Sequence, residues 1–525
     1  MSLRGWYAYA FAAEPFVVSA VATYVPLLLA ELGNENAVWV GDLRTPCRSI
    51  GDQPGLSPLP IAPPKCVVKL GSVWIDTTSL PLYTFSVSVL VQMVVVISIS
   101  GLADRGAHRK SLLVGFAILG ALGTIVMGAI GHSHYYVAAL LAIFANASFG
   151  AVSVCGNAYL PTLVSDKCTE IIRLRITASD RFHNAFPRIG RQENVLTSEE
   201  KARISARISG TGTAIGYGSA LFVQITTMLI LVVHHSANKV ESESRLQLVI
   251  ALIGWWWLLG QIPVALWLKS TAKEEELDNE LEVEDRASLL SQLSYGWISL
   301  VQTIVQARKL RDIVTFLMAW FLLSDAVTTI NSTAVLFART NLQMAAPALA
   351  LIGLITVLFA ISGSLVFGRR KKQKNSLVII SLLGSLIPLY GILGFLQPWI
   401  GLKHAWEIYL LAAWYGTALG ALNAVTRSLY ALLIPEGREV MFFALYSVTD
   451  KGSSVIGPSV TGLITDHTHN IRYTFYFLLG MMLLAAFLFA QVDFDRGQLE
   501  AVAIVNADLL DSTPPDLIDI DDSNE

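Results

Sequence analysis

The chain has 525 residues, 54% of them hydrophobic and only 15% charged, with a formal net charge of −3 and a mean hydropathy of +0.56. Soluble domains carry about a quarter charged residues, so this composition excludes an ordinary soluble globule. The balanced charge leaves no basic surface for nucleic acid, and the four cysteines show no paired metal-binding spacing.

The apolar residues gather in blocks of about 20, the length that crosses a ~30 Å hydrocarbon core as a helix. Backbone groups in lipid must bond within their own segment, and the short alternating segments of a transmembrane barrel are not seen. Twelve blocks follow in chain order, near 6–31, 79–103, 111–131, 135–157, 211–234, 246–268, 313–337, 347–368, 376–397, 406–427, 441–464 and 471–491. The first is too long for a signal peptide's apolar region and contains Glu14-Pro15, so it reads as a retained span. Cys47 and Cys66 share the loop after it, where a disulfide between them is a candidate that spacing alone does not decide.

Basic residues cluster at Lys167 to Arg207, at Arg308-Lys309-Arg311 and at Arg369-Arg370-Lys371-Lys372. With an even number of spans these clusters share one side, which the positive-inside rule makes cytoplasmic together with both termini. The expected organisation is a six-helix half at 1–268, a cytoplasmic linker at 269–312, a second six-helix half at 313–491 and an acidic, disordered tail at 492–525. The linker opens with an acidic run from Glu274 to Asp285. An amphipathic stretch from Tyr295 to Arg311 follows, with Trp297, Leu300, Val301, Ile304 and Val305 in helical phase. Two placements stay open for it, on the membrane interface or packed on the helix bundle. Asp285, Leu289 and Leu290 match an acidic dileucine signal that a sorting adaptor would read.

Ionisable residues inside spans are costly and are by default functional candidates. Glu14 in the first span and Asp325 in the seventh are candidate proton carriers or acceptors for a substrate ammonium. Asn146, Asn331 and Asn423 are candidate polar lining. Arg427 reads either as a span terminus or as part of a substrate path. Lys451, beside Asp450, reads either as a structural ion-pair partner or as a substrate ligand. The nine histidines, among them His234-His235, His467 and His469, suggest no catalytic or metal-binding set. Neither an enzyme nor a cofactor is expected.

The stretch Gly101-Leu102-Ala103-Asp104-Arg105-Gly106-Ala107-His108-Arg109-Lys110 resembles the signature between the second and third helices of major facilitator transporters. Gly368-Arg369-Arg370-Lys371-Lys372 resembles a degenerate second copy at the matching point of the other half. The resemblance implies an all-α membrane protein with twelve transmembrane helices in two six-helix pseudo-repeats. It also implies that Gly101, Asp104, Arg105, Arg109 and Lys110 form a gating latch.

A narrower likeness begins with Arg4-Gly5-Trp6-Tyr7, Tyr9-Ala10, Ala12 and Glu14-Pro15-Phe16. It continues through Ala158-Tyr159-Leu160-Pro161, Gly216-Tyr217, Ser324-Asp325-Ala326 and Arg427-Ser428-Leu429-Tyr430, then Ile434-Pro435-Glu436-Gly437 and Phe442-Phe443. These motifs resemble the fungal vacuolar amino-acid effluxers of the autophagy-related protein twenty-two family. The resemblance implies a vacuolar membrane protein that exports leucine, isoleucine and tyrosine to the cytosol after autophagic degradation, with proton symport as an option. Export of a sugar or organic acid, and a transporter-like scaffold, are the alternatives.

Overall fold

The computed structural model describes residues 2–39, 42–47, 66–70, 73–77, 80–105, 109–131, 134–185, 196–233, 239–269, 296–298, 300–301, 304–305, 310–340, 342, 344, 346–370, 373–396, 399–435, 437–454, 456–468 and 471–512. Among them, eleven helices are long and apolar enough to cross a membrane. In chain order the first ten helices are α1 (Ser2–Glu35), α2 (Leu80–Arg105), α3 (Arg109–Met127), α4 (Tyr135–Ala185), α5 (Ser198–Val233), α6 (Lys239–Trp267), α7 (Arg311–Thr340), α8 (Ala346–Gly368), α9 (Ser376–Leu396) and α10 (Ala405–Tyr430). They coincide with the first ten apolar blocks. α4 and α5 run well past theirs into polar sequence.

The eleventh block does not form one continuous helix. It is split into α11 (Glu439–Ser453) and α12 (Ile456–Thr468), and α13 (Thr474–Gln491) follows as the last long apolar helix. The split falls at the Gly452-Ser453-Ser454 run, just before Gly457-Pro458. Proline lacks a backbone N–H and is tolerated in a first helical turn. Small residues ahead of it let the backbone turn without a clash.

The loop after α1 carries a small antiparallel sheet in the order β1 (Val38–Trp39), β2 (Cys66–Leu70) and β3 (Val73–Asp76). Val68 pairs with Ile75 and is fully buried. Cys47 is disulfide-bonded, whereas Cys155 and Cys168 are buried free thiols.

The expected disordered tail is instead helical over α14 (Phe494–Ser512). Its acidic composition hid an anchor. Phe494 is 3% exposed and packs edge-on against Phe316 of α7, and Ala501 is buried. Arg496 donates through Nε and Nη2, both at 2.8 Å, to the carboxylate of Asp312, and the Asp493 N–H adds a third bond at 2.9 Å. Lys374 pairs with Asp495.

The contacts group into two compact units, the first made of 1–99, 107–156 and 215–284, the second of 100–106, 157–214 and 285–525. In the first, α1 crosses α6 where Gly260 faces Ala12, and Phe16 stacks on Trp257 with ring centroids 4.6 Å apart. In the second, α8 and α10 meet through three glycines. Gly363 lies on the Thr417 backbone, Gly416 on that of Thr356 and Gly420 on that of Ala360, each too close for a Cβ. Small residues permit such backbone approach where no hydrophobic force drives helices together in lipid. Residues 157–214 bring the lower part of α4 and the opening of α5 into this second unit.

Candidate functional site

Asp325 lies mid-way along α7 and is 0% exposed. Its Oδ1 accepts the Gly457 N–H at 2.9 Å. The carboxylate therefore caps the first turn of α12, where the break in the chain leaves N–H groups without helical acceptors. Gly457 is required by the same contact, since a Cβ there would strike Thr329 and Asp325. Among the described residues no cationic side chain lies within 4 Å of Asp325.

Lys451 does not pair with Asp325. Its Nζ lies 3.3 Å from Asp450 on the same helix. Asp450 in turn accepts the Ser324 hydroxyl at 2.6 Å, which joins α7 to α11 one residue before Asp325.

Arg427, near the end of α10, is half-buried and joins three helices. Its Nε donates to the Asn423 carbonyl at 2.9 Å, Nη1 to Asn157 Oδ1 on α4 at 3.1 Å, and Nη2 to Thr213 Oγ1 on α5 at 2.5 Å. Asn157 and Thr213 are both buried. Two turns of small residues bring α5 this close to the second unit's other helices. Gly210 sits against the Ser364 carbonyl and Gly368, and Ser205 donates to the Ser428 carbonyl at 2.9 Å. A guanidinium carries five N–H donors, so these three bonds leave donors to spare.

Towards the opposite end of α10 lies an apolar cleft of about 670 Å³. Ile330, Phe337, Ile408 and Phe475 form much of its wall, and Asn331, Thr356 and Tyr415 supply the polar groups. Tyr415 donates to the Val327 carbonyl at 3.2 Å and Thr356 to that of Ile352 at 2.9 Å, so both hydroxyl protons are already engaged. The Asn331 side chain is exposed. The rim is fixed by Glu407, whose carboxylate accepts the Tyr390 hydroxyl and the N–H groups of Gly401, Leu402, Lys403 and His404. Arg472 ties down the same turn through the Gly401 and Leu402 carbonyls and covers the Phe337 ring.

In the first unit, Glu14 is half-buried on α1, with its Cβ and Cγ against Gly216 of α5. Asn146 is buried and donates to Ser88 at 2.8 Å and Gln92 at 3.4 Å. It borders a second, smaller cleft of about 390 Å³ together with Phe16 and Ser88. Of the motif after α2, Arg109 is buried and Lys110 half-buried at the start of α3. The side chains of Asp104 and Arg105, and residues 106–108, lie outside the described residues, as do Asp285, Leu289 and Leu290.

Of the sequence candidates, Arg427 and Asn423 share one hydrogen-bond network, Asn331 borders the cleft and Asp325 caps α12; Asn157, Thr213, Tyr415 and Thr356 are added to them by the structure alone. Asn157 was visible as an amide in an apolar block. Its contact with Arg427 spans 270 residues and had no local signal.

A family model described as "Vacuole effluxer Atg22 like" matches residues 1–502. Autophagy-related protein 22 of Yarrowia lipolytica is 41% identical over 576 aligned positions, covering 95% of this chain and 97% of the relative. The proteins of that name in Pichia angusta and Saccharomyces cerevisiae S288c are 42% and 38% identical, each covering 95% of this chain and 93% of the relative. Among solved structures, the proton:xylose symporter XylE aligns with a TM-score of 0.61 at 12% identity, covering 96% of this chain and 97% of its own. The major facilitator transporter FucP aligns with a TM-score of 0.53, also at 12% identity, covering 92% and 98%.

Proposed function

The chain belongs to the Atg22-like vacuole effluxer family, and we propose that it exports neutral amino acids such as leucine, isoleucine and tyrosine from the vacuole lumen to the cytosol. Membership and the major facilitator fold make it a transporter of the vacuolar type. The observation that carries the choice of substrate is the chemistry of the cleft beside α7, α8 and α10. Its wall is apolar and its few hydroxyls are committed to backbone carbonyls. A sugar buried there would leave several of its own hydroxyls unpaired, each costing about 1–3 kcal/mol. A branched aliphatic side chain has no polar group to leave unpaired there, and a phenol has a single hydroxyl.

Within this reading the two helix bundles expose the site alternately to the two sides, with both termini in the cytosol. Asp325 and Glu14 carry protons or receive the substrate ammonium. Arg427 offers N–H groups to a carboxylate, and Asn146, Asn331 and Asn423 line the route. The Asp104, Arg105, Arg109 and Lys110 motif latches one orientation. An acidic lumen would then help drive export, at roughly 1.4 kcal/mol per pH unit for each proton carried.

Counterflow in proteoliposomes tests the substrate assignment. Unlabelled leucine, isoleucine and tyrosine inside the vesicles should each accelerate uptake of labelled leucine, and xylose and malate should not. Acceleration by xylose or malate, with no effect of the amino acids, would transfer the function to the other solute.

A further inference from the structure

The turn between α9 and α10 holds two successive residues in the left-handed region, Gly401 at φ +92° and Leu402 at φ +63°. The first must be glycine, because a Cβ there would strike the Gly394 backbone. A leucine at the second is a backbone outlier, where glycine or asparagine would sit with less strain. Such a conformation persists only where the surroundings fix it. Here they do. The buried Glu407 carboxylate accepts the Leu402 N–H at 2.7 Å and those of Gly401, Lys403 and His404 at 2.8–3.0 Å. Arg472 donates to the Gly401 and Leu402 carbonyls, both at 2.7 Å. Both backbone polar groups of Leu402 are therefore bonded.

The strained residue is also part of the apolar cleft. Leu402 is 6% exposed and belongs to the wall of the cleft of about 670 Å³. Among the described residues of that wall, every other one lies in α7, α8, α9, α10 or α13. Leu402 alone comes from a turn. Resting on the reading of this cleft as an amino-acid site, we propose that Leu402 determines specificity by setting the largest side chain that the cleft accepts. Its place is fixed from α10 through Glu407 and from just before α13 through Arg472, so this part of the wall cannot swing aside to admit a larger guest. A wall that does not yield discriminates by size, because close-packed atoms leave no room for added carbons. Isoleucine, leucine and tyrosine lie within the limit, and the indole of tryptophan exceeds it.

Counterflow of labelled leucine in proteoliposomes, with unlabelled tyrosine or tryptophan inside, tests the role of Leu402 in the full-length protein. The native protein should respond to tyrosine and only weakly to tryptophan. In Leu402→Ala and, separately, Leu402→Gly, the response to tryptophan relative to tyrosine should rise by about tenfold, the scale of discrimination that a single methylene commands in an apolar pocket. Leu402→Gly suits the left-handed backbone, Leu402→Ala keeps the native backbone restriction, and neither adds volume. A rise in both variants assigns the limit to the side chain. An unchanged ratio in both would overturn the proposal, as would a rise in Leu402→Gly alone, which would trace the limit to the backbone. Equal responses to tyrosine and tryptophan in the native protein would also overturn it, with amino-acid export intact. Absence of leucine counterflow in the native protein would instead remove the amino-acid reading, and the inference with it.

Discussion

Asp325 is buried, with no cationic side chain within 4 Å among the described residues, and it bonds to the Gly457 N–H across the break in its neighbouring span. Asparagine keeps an acceptor for the Gly457 N–H and removes the ionisable group. Asp325→Asn should therefore fold normally and still exchange labelled leucine, while losing the dependence of net export on lumenal pH. Unchanged pH dependence in that variant would dismiss Asp325 as a proton carrier. Arg427 acts through shape as well as charge, because its planar fork reaches Asn157 and Thr213 at once. A lysine's single ammonium cannot reproduce that geometry. Arg427→Lys should slow transport by at least about tenfold, the equivalent of one charged hydrogen bond lost from the working cycle. Rates near the native value in reconstituted vesicles would show that charge alone suffices.

At the scale of elements, the seam of α8 and α10 depends on glycines that leave no space for a side chain. Gly420→Leu must push the helices apart, and the expected outcome is loss of monodisperse protein in detergent. A normal elution profile would contradict the close packing. The attachment of α14 is electrostatic at one end and aromatic at the other. Lys374 and the Ser198 hydroxyl hold the Asp495 carboxyl below its usual 3.8, and Asp312 raises the Arg496 guanidinium. A lowered carboxylate contributes above its unfolded value and loses that contribution only as pH falls through the folded one. A raised guanidinium stays charged through the whole range of interest. The attachment through these two groups should thus be constant between about pH 5 and 8. Removing it by Arg496→Ala leaves the Asp312 carboxylate buried without its partner. The change should loosen α14 and make the chain between 491 and 494 accessible to limited proteolysis. Full resistance to protease would show that Phe494 alone fixes α14.

For the whole molecule, hydropathy located eleven of the twelve expected spans as long apolar helices, because lipid forces each crossing segment into that form. The family motifs, spread from Arg4 to Phe443, pointed to the same relatives that the comparisons found. Less legible was whatever depends on contact between distant parts of the chain. The break before Gly457 was written as a run of small residues and a proline, yet only the Asp325 cap shows why it is stable. The acidic tail gave no sign of a helix, since its order comes from Asp312 and Phe316, far away in sequence. Arg427 does lie in the last turn of α10, but its bonds to Asn157 and Thr213 join residues more than 200 positions away and leave no local trace in sequence.

Release of labelled leucine and tyrosine from vacuolar vesicles, with and without this protein and at two lumenal pH values, is the most direct test of export. Faster release with the protein, steeper at the lower lumenal pH, is the expected result. Equal release in vesicles shown to contain folded protein would contradict amino-acid export and leave the fold assignment untouched.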